Sequence, residues 1–274
     1  MAIIVIVQAI VASVFAIQES KYKKALSAIE TSNYIEAFDI LSELENYRDS
    51  SQLLSNIKTK AYNAMISDAD IGDRLFFGSY EQDGKKENGE EDIEWLVLDK
   101  KDDKLLVISK YCLKEAAFDS EYYEEQTWAT SDIRRWLNEG GFDFLAFTTA
   151  ERSKIIPTNI TTPKNSKYGT NGGSNTLDKI FLLSIEEAEQ YFASDNDRKT
   201  LATDSSTFDS IEQPYSCGWW LRSNGYNDDK SSAFYDSYAA CVDASGSVNY
   251  KGEIVKYDAG IRPAMWIDIS SYIN

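Results

Sequence analysis

The strongest nucleophiles in this chain are three cysteines, Cys112, Cys217 and Cys241, and the sequence has no histidine to activate them. Lack of imidazole removes His-based zinc sites, the Ser-His-Asp and Cys-His systems, and general-base schemes built on that ring. Carboxylate, Lys, Tyr and thiol chemistry remain. An odd number of cysteines leaves at least one free thiol. Cys217 and Cys241 could pair if their strands are neighbours, but buried free thiols are the reading we adopt. Arg222 and Arg262 each sit in a short apolar run, Cys217–Ser223 and Gly260–Trp266. Either could grip an anion through a bidentate fork. An arginine between core-facing aromatics must instead be satisfied inside the fold, so we expect structural roles for both, alongside Trp136, Trp219, Trp220 and Trp266. Strand alternation turns one of Trp219 and Trp220 outward. Asn227, Asp228, Asp229 and Asp236 are hard oxygen donors and the candidate calcium ligands. Their spacing alone reads as a solvated acidic loop, so no cofactor is expected.

The stretch from Ser223 to Asp258 has a different character. Tyr, Ser, Asp, Asn and Gly supply 22 of its 36 residues. Tyrosine offers large contact area at low entropic cost, and small polar residues adapt their hydrogen bonding. Ordinary turn-rich hairpins share that composition. Framed by two apolar runs, the segment is expected to present a binding face made of Tyr226, Asn227, Asp228, Tyr235, Asp236, Tyr238, Asn249 and Tyr250, with only part of the set pointing outward.

The elements that must position these residues are legible from periodicity. Residues Ala2–Ile17 carry no charge, slightly fewer than the roughly 17–25 apolar residues a membrane-spanning helix needs. We expect residues 1–18 to be a hydrophobic anchor or signal segment. Residues 19–68 read as helices, with Tyr22, Ala25 and Ile29, then Tyr34, Ala37, Phe38 and Leu41, at three-and-four spacing. Asn33–Leu41 is similar to the second half of a tetratricopeptide repeat, and one such repeat makes a spacer, since arrays need three or more. From Gly72 the pattern becomes strands, over Arg74–Tyr80, Ile93–Leu98 and Lys104–Ser109. Helices are expected over Asp132–Leu137 and Ile185–Phe192, with a strand over Lys179–Ser184. Thr158–Leu177 is a long surface loop, and loops of that length in a compact domain tend to be functional. Ala239–Val248 is a hairpin turning at Ala244-Ser-Gly246. Gly260–Ile267 is expected to be a strand lying near Arg74–Tyr80.

The ordered set Gly72–Tyr80, Ile93-Glu-Trp95, Thr127-Trp-x-x-Ser-Asp-Ile-Arg-Arg-Trp-Leu-Asn138, Phe181–Ser184, Trp219-Trp-Leu-Arg-Ser223 and Gly260-Ile-Arg-Pro263 resembles a bacterial domain of unknown function found in surface and envelope proteins of Firmicutes. The resemblance covers residues 71–270. More distantly, the C-terminal part resembles the C-type-lectin-like fold shared by formylglycine-generating enzymes and the variable proteins of diversity-generating retroelements. That likeness implies a Trp/Arg strand and a terminal Gly-x-Arg strand bracketing an exposed face. It also raises an enzymatic alternative, since formylglycine-generating enzymes use a reactive cysteine pair. Cys217 and Cys241 lie in the corresponding region without the enzymes' motif. Glu212-Gln-Pro214 and Tyr226-Asn-Asp228 echo the calcium-holding pieces of sugar-binding lectins without the full ligand set.

The expectation is an α+β protein: a C-type-lectin-like domain (71–274) of mostly antiparallel strands with a few helices, preceded by a hydrophobic helix and a short all-α spacer. It would be a cell-surface, non-catalytic module that binds an extracellular carbohydrate or protein. The N-terminal segment would hold it as a single-pass membrane protein with the C-terminal domain outside, or else direct its secretion. A formylglycine-generating-type oxidase using Cys217 or Cys241 and a structural envelope domain are the alternatives. Nucleic acid is excluded as a partner by a formal net charge of −17 and the absence of a basic patch of nucleic-acid type.

Overall fold

The computed structural model describes residues 2–121, 126–203, 215–229, 231 and 237–273, with side chains from residue 11 onward. The chain divides into two compact units, Met1–Ala69 with Tyr272–Asn274, and Asp70–Ser271.

The first unit contains helices α1 (Ala2–Glu30), α2 (Tyr34–Leu44) and α3 (Ser50–Asp68). Ser32 adopts a left-handed φ of 61° at the break, and the Asn33 side chain caps α2 by accepting from the Glu36 N–H at 3.4 Å. Ala25, Ala37, Leu41 and Ala61 are fully buried where the helices pack. The membrane anchor expected at the start of this unit is overturned. Among the described residues no helix is long and apolar enough to cross a membrane. The apolar run is not a separate element but the first half of α1, whose second half carries charge. Glu19 is paired with Lys23 and Arg48, Lys21 with Glu43, and Lys24 with Glu36.

The second unit is α+β, built on two five-stranded sheets. Strands β1 (Arg74–Tyr80), β2 (Glu91–Lys101) and β3 (Lys104–Ser109) form an antiparallel meander, as their alternating apolar residues predict. After β4 (Lys114–Ala117) come helices α4 (Asp132–Asn138), α5 (Phe142–Ala146) and α6 (Thr149–Arg152). A short ribbon, β5 (Thr158–Ile160) with β6 (Thr176–Asp178), precedes β7 (Ile180–Phe181), α7 (Ile185–Tyr191), α8 (Asp195–Arg198) and a second ribbon, β8 (Thr200–Leu201) with β9 (Ser216–Cys217). The chain ends with β10 (Trp219–Asn224), β11 (Tyr238–Val242), β12 (Val248–Ile254), β13 (Asp258–Ile261) and β14 (Ala264–Asp268). The first sheet runs β1-β2-β3-β14-β7 and the second β12-β11-β10-β13-β4. Within the second, only β10 and β13 run parallel among its described pairs.

Two expectations need correction. The segment Gly260–Ile267 is not one strand: it leaves the second sheet after Ile261 and enters the first at Ala264, with Arg262-Pro263 at the crossing. Its later half shares a sheet with β1, but its direct partners are β3 and β7. Proline lacks the N–H that a continuous ladder would need, while the Pro263 carbonyl accepts from the Ser109 N–H at 2.9 Å. Secondly, neither Trp219 nor Trp220 faces outward; both are fully buried. β10 is the middle strand of its sheet and is covered on both faces. Trp219 packs against Phe192 and Arg262, and Trp220 against Phe118.

Candidate functional site

The site is assembled at the end of β10, where the chain leaves a buried strand for solvent. Asn224 is buried and donates its side-chain amide to the Gln126 carbonyl at 2.8 Å. Gly225 is next, and its N–H reaches the Tyr238 carbonyl at 2.7 Å. A Cβ at this position would lie 2.2 Å from the Lys251 carbonyl oxygen, so only glycine lets the chain pass so close to β12. The Tyr226 N–H then bonds the Lys251 carbonyl at 2.9 Å. Tyr226 emerges half-buried with its backbone held.

The opposite wall comes from the loop between β5 and β6. Asn165 in that loop is 2 % exposed and uses both ends of its amide. The Nδ2 group donates to the carbonyls of Asn224 and Tyr250 at 2.9 and 2.7 Å. The Oδ1 atom accepts from the N–H groups of Lys167 and Tyr168 at 3.1 and 3.2 Å. Thr170 Oγ1 adds a bond to the Asn224 carbonyl at 3.2 Å. One buried amide therefore ties the loop to β10 and β12 and sets the backbone of the two residues that reach the surface. Tyr168 stacks on Tyr226, with ring centroids 4.5 Å apart and planes 6° from parallel. The Lys167 ammonium lies 3.7 Å from the centre of the Tyr250 ring. The Tyr250 hydroxyl bonds Glu189 of α7. Burial first, and that carboxylate second, push the Tyr250 phenol up to about 12.

The residues expected on the face divide. Tyr226 and Tyr250 belong to it. Asp228 lies at its rim and pairs with Lys251. Asn227 Oδ1 accepts from the Asp229 N–H at 3.0 Å, and Asp229 accepts from the Ser231 N–H and hydroxyl at 2.9 and 2.6 Å. These oxygens close the loop's own turns. Tyr238 starts β11 half-buried, and Asn249 takes the Gly252 N–H at 2.9 Å, shaping the bend of β12. Tyr235 and Asp236 lie outside the described residues. Among the described residues, carboxylates converge at Glu81, Asp83 and Glu91, with oxygens within 4.8 Å of one another. Glu91 accepts the Gln82 N–H at 2.7 Å and Asp83 the Lys85 N–H at 2.9 Å, so this cluster fastens the β1–β2 connection.

The sequence reading missed Asn165, Lys167 and Tyr168 as members of the face. Their signal was the length of the 158–177 loop and the lone aromatic within it.

Of the residues assigned structural roles, Arg222 is buried and forks onto Glu187, with Nη2–Oε1 at 2.8 Å, while also donating to the carbonyls of Leu182 and Thr161 at 2.8 and 3.0 Å. Arg262 is 1 % exposed, donates to the Ser109 carbonyl at 2.8 Å, and lies over the Trp219 and Phe192 rings at 5.2 and 5.3 Å. Burial pulls its guanidinium down to about 10, which still leaves it charged at neutral pH. Trp136 and Trp266 are half-buried, capped by the ammonium groups of Lys114 and Lys101 at 4.7 and 5.1 Å.

All three thiols are buried and free. The sulfurs that meet are those of Cys112 and Cys217, not Cys217 and Cys241. They converge over Gly260, where an added Cβ would lie 2.4 and 2.5 Å from them. The hydrogen bond to Cys112 comes first in raising the Cys217 thiol far above its ordinary range, followed by burial and by charge at Cys112 and Glu115. Burial, then Asp243 and Glu253, raise Cys241.

An α+β domain with a tyrosine-rich surface at one end of a buried strand, and with its thiols sequestered, is the class that fold and site define. The chain belongs to the family described as a domain of unknown function (DUF6273), which matches residues 102–269. No curated protein and no solved structure matches it.

Proposed function

We propose that the Asp70–Ser271 unit is a non-catalytic ligand-binding module whose face is formed by Tyr168, Tyr226 and Tyr250 with Lys167, and whose ligand is a carbohydrate or a protein. The observation that carries this reading is the Tyr168–Tyr226 stack, held at the surface from two separate chain segments by the Asn165 amide. Rigid aromatic side chains on a fixed backbone give contact area with little ordering cost on binding. The non-catalytic part is supported by the thiols: a nucleophilic cysteine needs an accessible, readily ionised sulfur, and Cys217 is 2 % exposed with its ionisation strongly disfavoured. The net charge of −17 supports a ligand other than nucleic acid. A C-type-lectin-like reading of the fold is supported by the return of β14 to the sheet that holds the unit's first strand, with the second sheet carrying the face.

The test is a screen of the full chain against glycan and peptide arrays, followed by Tyr168→Ala and Tyr226→Ala. Each substitution is expected to weaken the captured ligand by about 2 kcal/mol or more if it is a hot spot, with the thermal midpoint little changed. Loss of folding with affinity unchanged would place these rings in the core and the site elsewhere.

A further inference from the structure

We infer that the ligand of this face is an acidic glycan, one whose sugar rings carry carboxylate or phosphate groups; this rests on the binding reading above and narrows it. The first observation is in the sequence. Between Glu151 and Asp178 the chain holds Arg152, Lys154, Lys164 and Lys167 and no acidic residue, within a protein of net charge −17. Such a charge would repel an anion at long range. Fields between exposed charges fade over about 8 Å at physiological salt, so the groups bordering the rings decide which ligands are accepted there.

The second observation is how those charges are occupied. Of the acidic groups bordering the face, Asp228 is neutralised by the Lys251 ammonium, whereas Glu189 accepts from the Tyr250 hydroxyl and keeps its charge, at the hydroxyl end of that ring. Lys164 and Lys167 are exposed, and among the described residues neither has a carboxylate within ion-pair distance. Lys167 rests on the Tyr250 ring, which holds the ammonium in place without neutralising it, because a ring quadrupole carries no net charge. That contact also covers one face of Tyr250, while Tyr168 and Tyr226 cover one face of each other and Tyr168 stays 37 % exposed. A flat aromatic surface next to the Lys167 ammonium, with the exposed Lys164 three residues earlier in the same loop, suits a ring with apolar C–H patches and an anionic substituent. Lysine, a compact point charge, accepts carboxylate and phosphate alike.

The experiment measures binding of the full chain, by calorimetry, to two pairs of oligosaccharides, one of them at two salt concentrations. These are a galacturonate oligomer and its methyl ester, which keeps the ring and removes the charge; a mannose oligomer with and without phosphate; and the first pair again at 0.05 and 0.5 M NaCl. The acid form of at least one pair is expected to bind about tenfold or more tighter than its neutral partner, the loss of one charge-assisted contact, and to weaken with salt. Lys164→Gln and Lys167→Gln should each remove much of that difference, while Lys167→Arg should keep it. The first and second pairs separate carboxylate from phosphate recognition. Equal binding of acid and neutral forms, without salt dependence, would overturn the inference, and loss of that binding in Tyr168→Ala would leave the ligand-binding reading standing. Capture of peptides but of no oligosaccharide also overturns it. No capture of glycan or peptide on any array brings down the broader reading as well.

Discussion

Gly260 is a residue whose surroundings leave no room for a side chain. Its neighbours are two sulfurs and the Gly218 carbonyl oxygen, which would stand 2.9 Å from an added Cβ. Gly260→Ala must displace the Cys112 and Cys217 sulfurs and the Gly218 carbonyl, and overpacking of this kind costs about 1–3 kcal/mol. Urea unfolding should show that loss, whereas Gly84→Ala, with open space around it but a φ of +71°, tests backbone strain alone. The thiols beneath Gly260 set a pH dependence. Cys217 is raised in the folded chain, whereas an unfolded thiol titrates near 8.5. Below that pH both states hold the proton. Above it the unfolded state releases a proton that the folded state retains, so stability falls as pH rises from about 8 to 10. Cys217→Ala should lessen that decline in denaturation midpoints taken at a series of pH values, with Cys241, also raised, supplying part of what remains; an unchanged slope would assign the whole of it to Cys241 and the tyrosines. From the sequence, Cys217 and Cys241 could pair only if their strands were neighbours, and buried free thiols were the expectation; all three are buried and free, and it is another sulfur that meets Cys217. The partner is Cys112, brought in by the pairing of β13 with both β4 and β10, and nothing local to any of the three residues encodes that.

At the level of elements, the loop between β5 and β6 depends on one side chain. Asn165→Asp keeps the acceptor for the Lys167 and Tyr168 N–H groups but loses both donations to the Asn224 and Tyr250 carbonyls, and places a charge against those oxygens. The expected result is a loss of about 1–3 kcal/mol and faster amide exchange across residues 165–171, with the two sheets protected as before. Uniform protection throughout would mean that Asn165 does not hold the loop. Much of the element order was legible. Strand and helix periods marked β1, β2, β3, α4 and α7, and Ser131 and Ser184 cap the two helices as their types predict. Alternation failed at β10 because it assumes one wet face, and a strand buried on both sides removes the assumption. The Arg262-Pro263 crossing was hidden because each half of Gly260–Ile267 is apolar enough to be a strand, and only the partners on either side show that they differ. Asn165 was hidden for another reason: a clamp asparagine and a turn asparagine look the same in a polar loop.

For the whole molecule, the N-terminal apolar run misleads when its composition is taken apart from the charged residues beyond it. A helix that carries Glu19, Lys21, Lys23 and Lys24 directly after Ile17 spends those charges on ion pairs with α2 and the 45–49 turn, or within α1 itself. The sequence pattern changes from three-and-four spacing to alternation near Gly72, and the compact units divide between Ala69 and Asp70. Sheet order also decides how the β-rich unit can be shortened. The family match begins at residue 102, after β1 and β2 are complete, yet β2 supplies the ladder along one side of β3. A chain trimmed to 102–269 would leave Leu105–Ser109, buried residues of an inner strand, as a bare rim of unsatisfied N–H and C=O groups. Such rims recruit other chains. The trimmed protein is expected to associate at micromolar concentration in light scattering while residues 70–271 stay monodisperse. The β1–β2 hairpin would then be read as a guard, a stretch whose task is to keep copies of the fold from joining edge to edge.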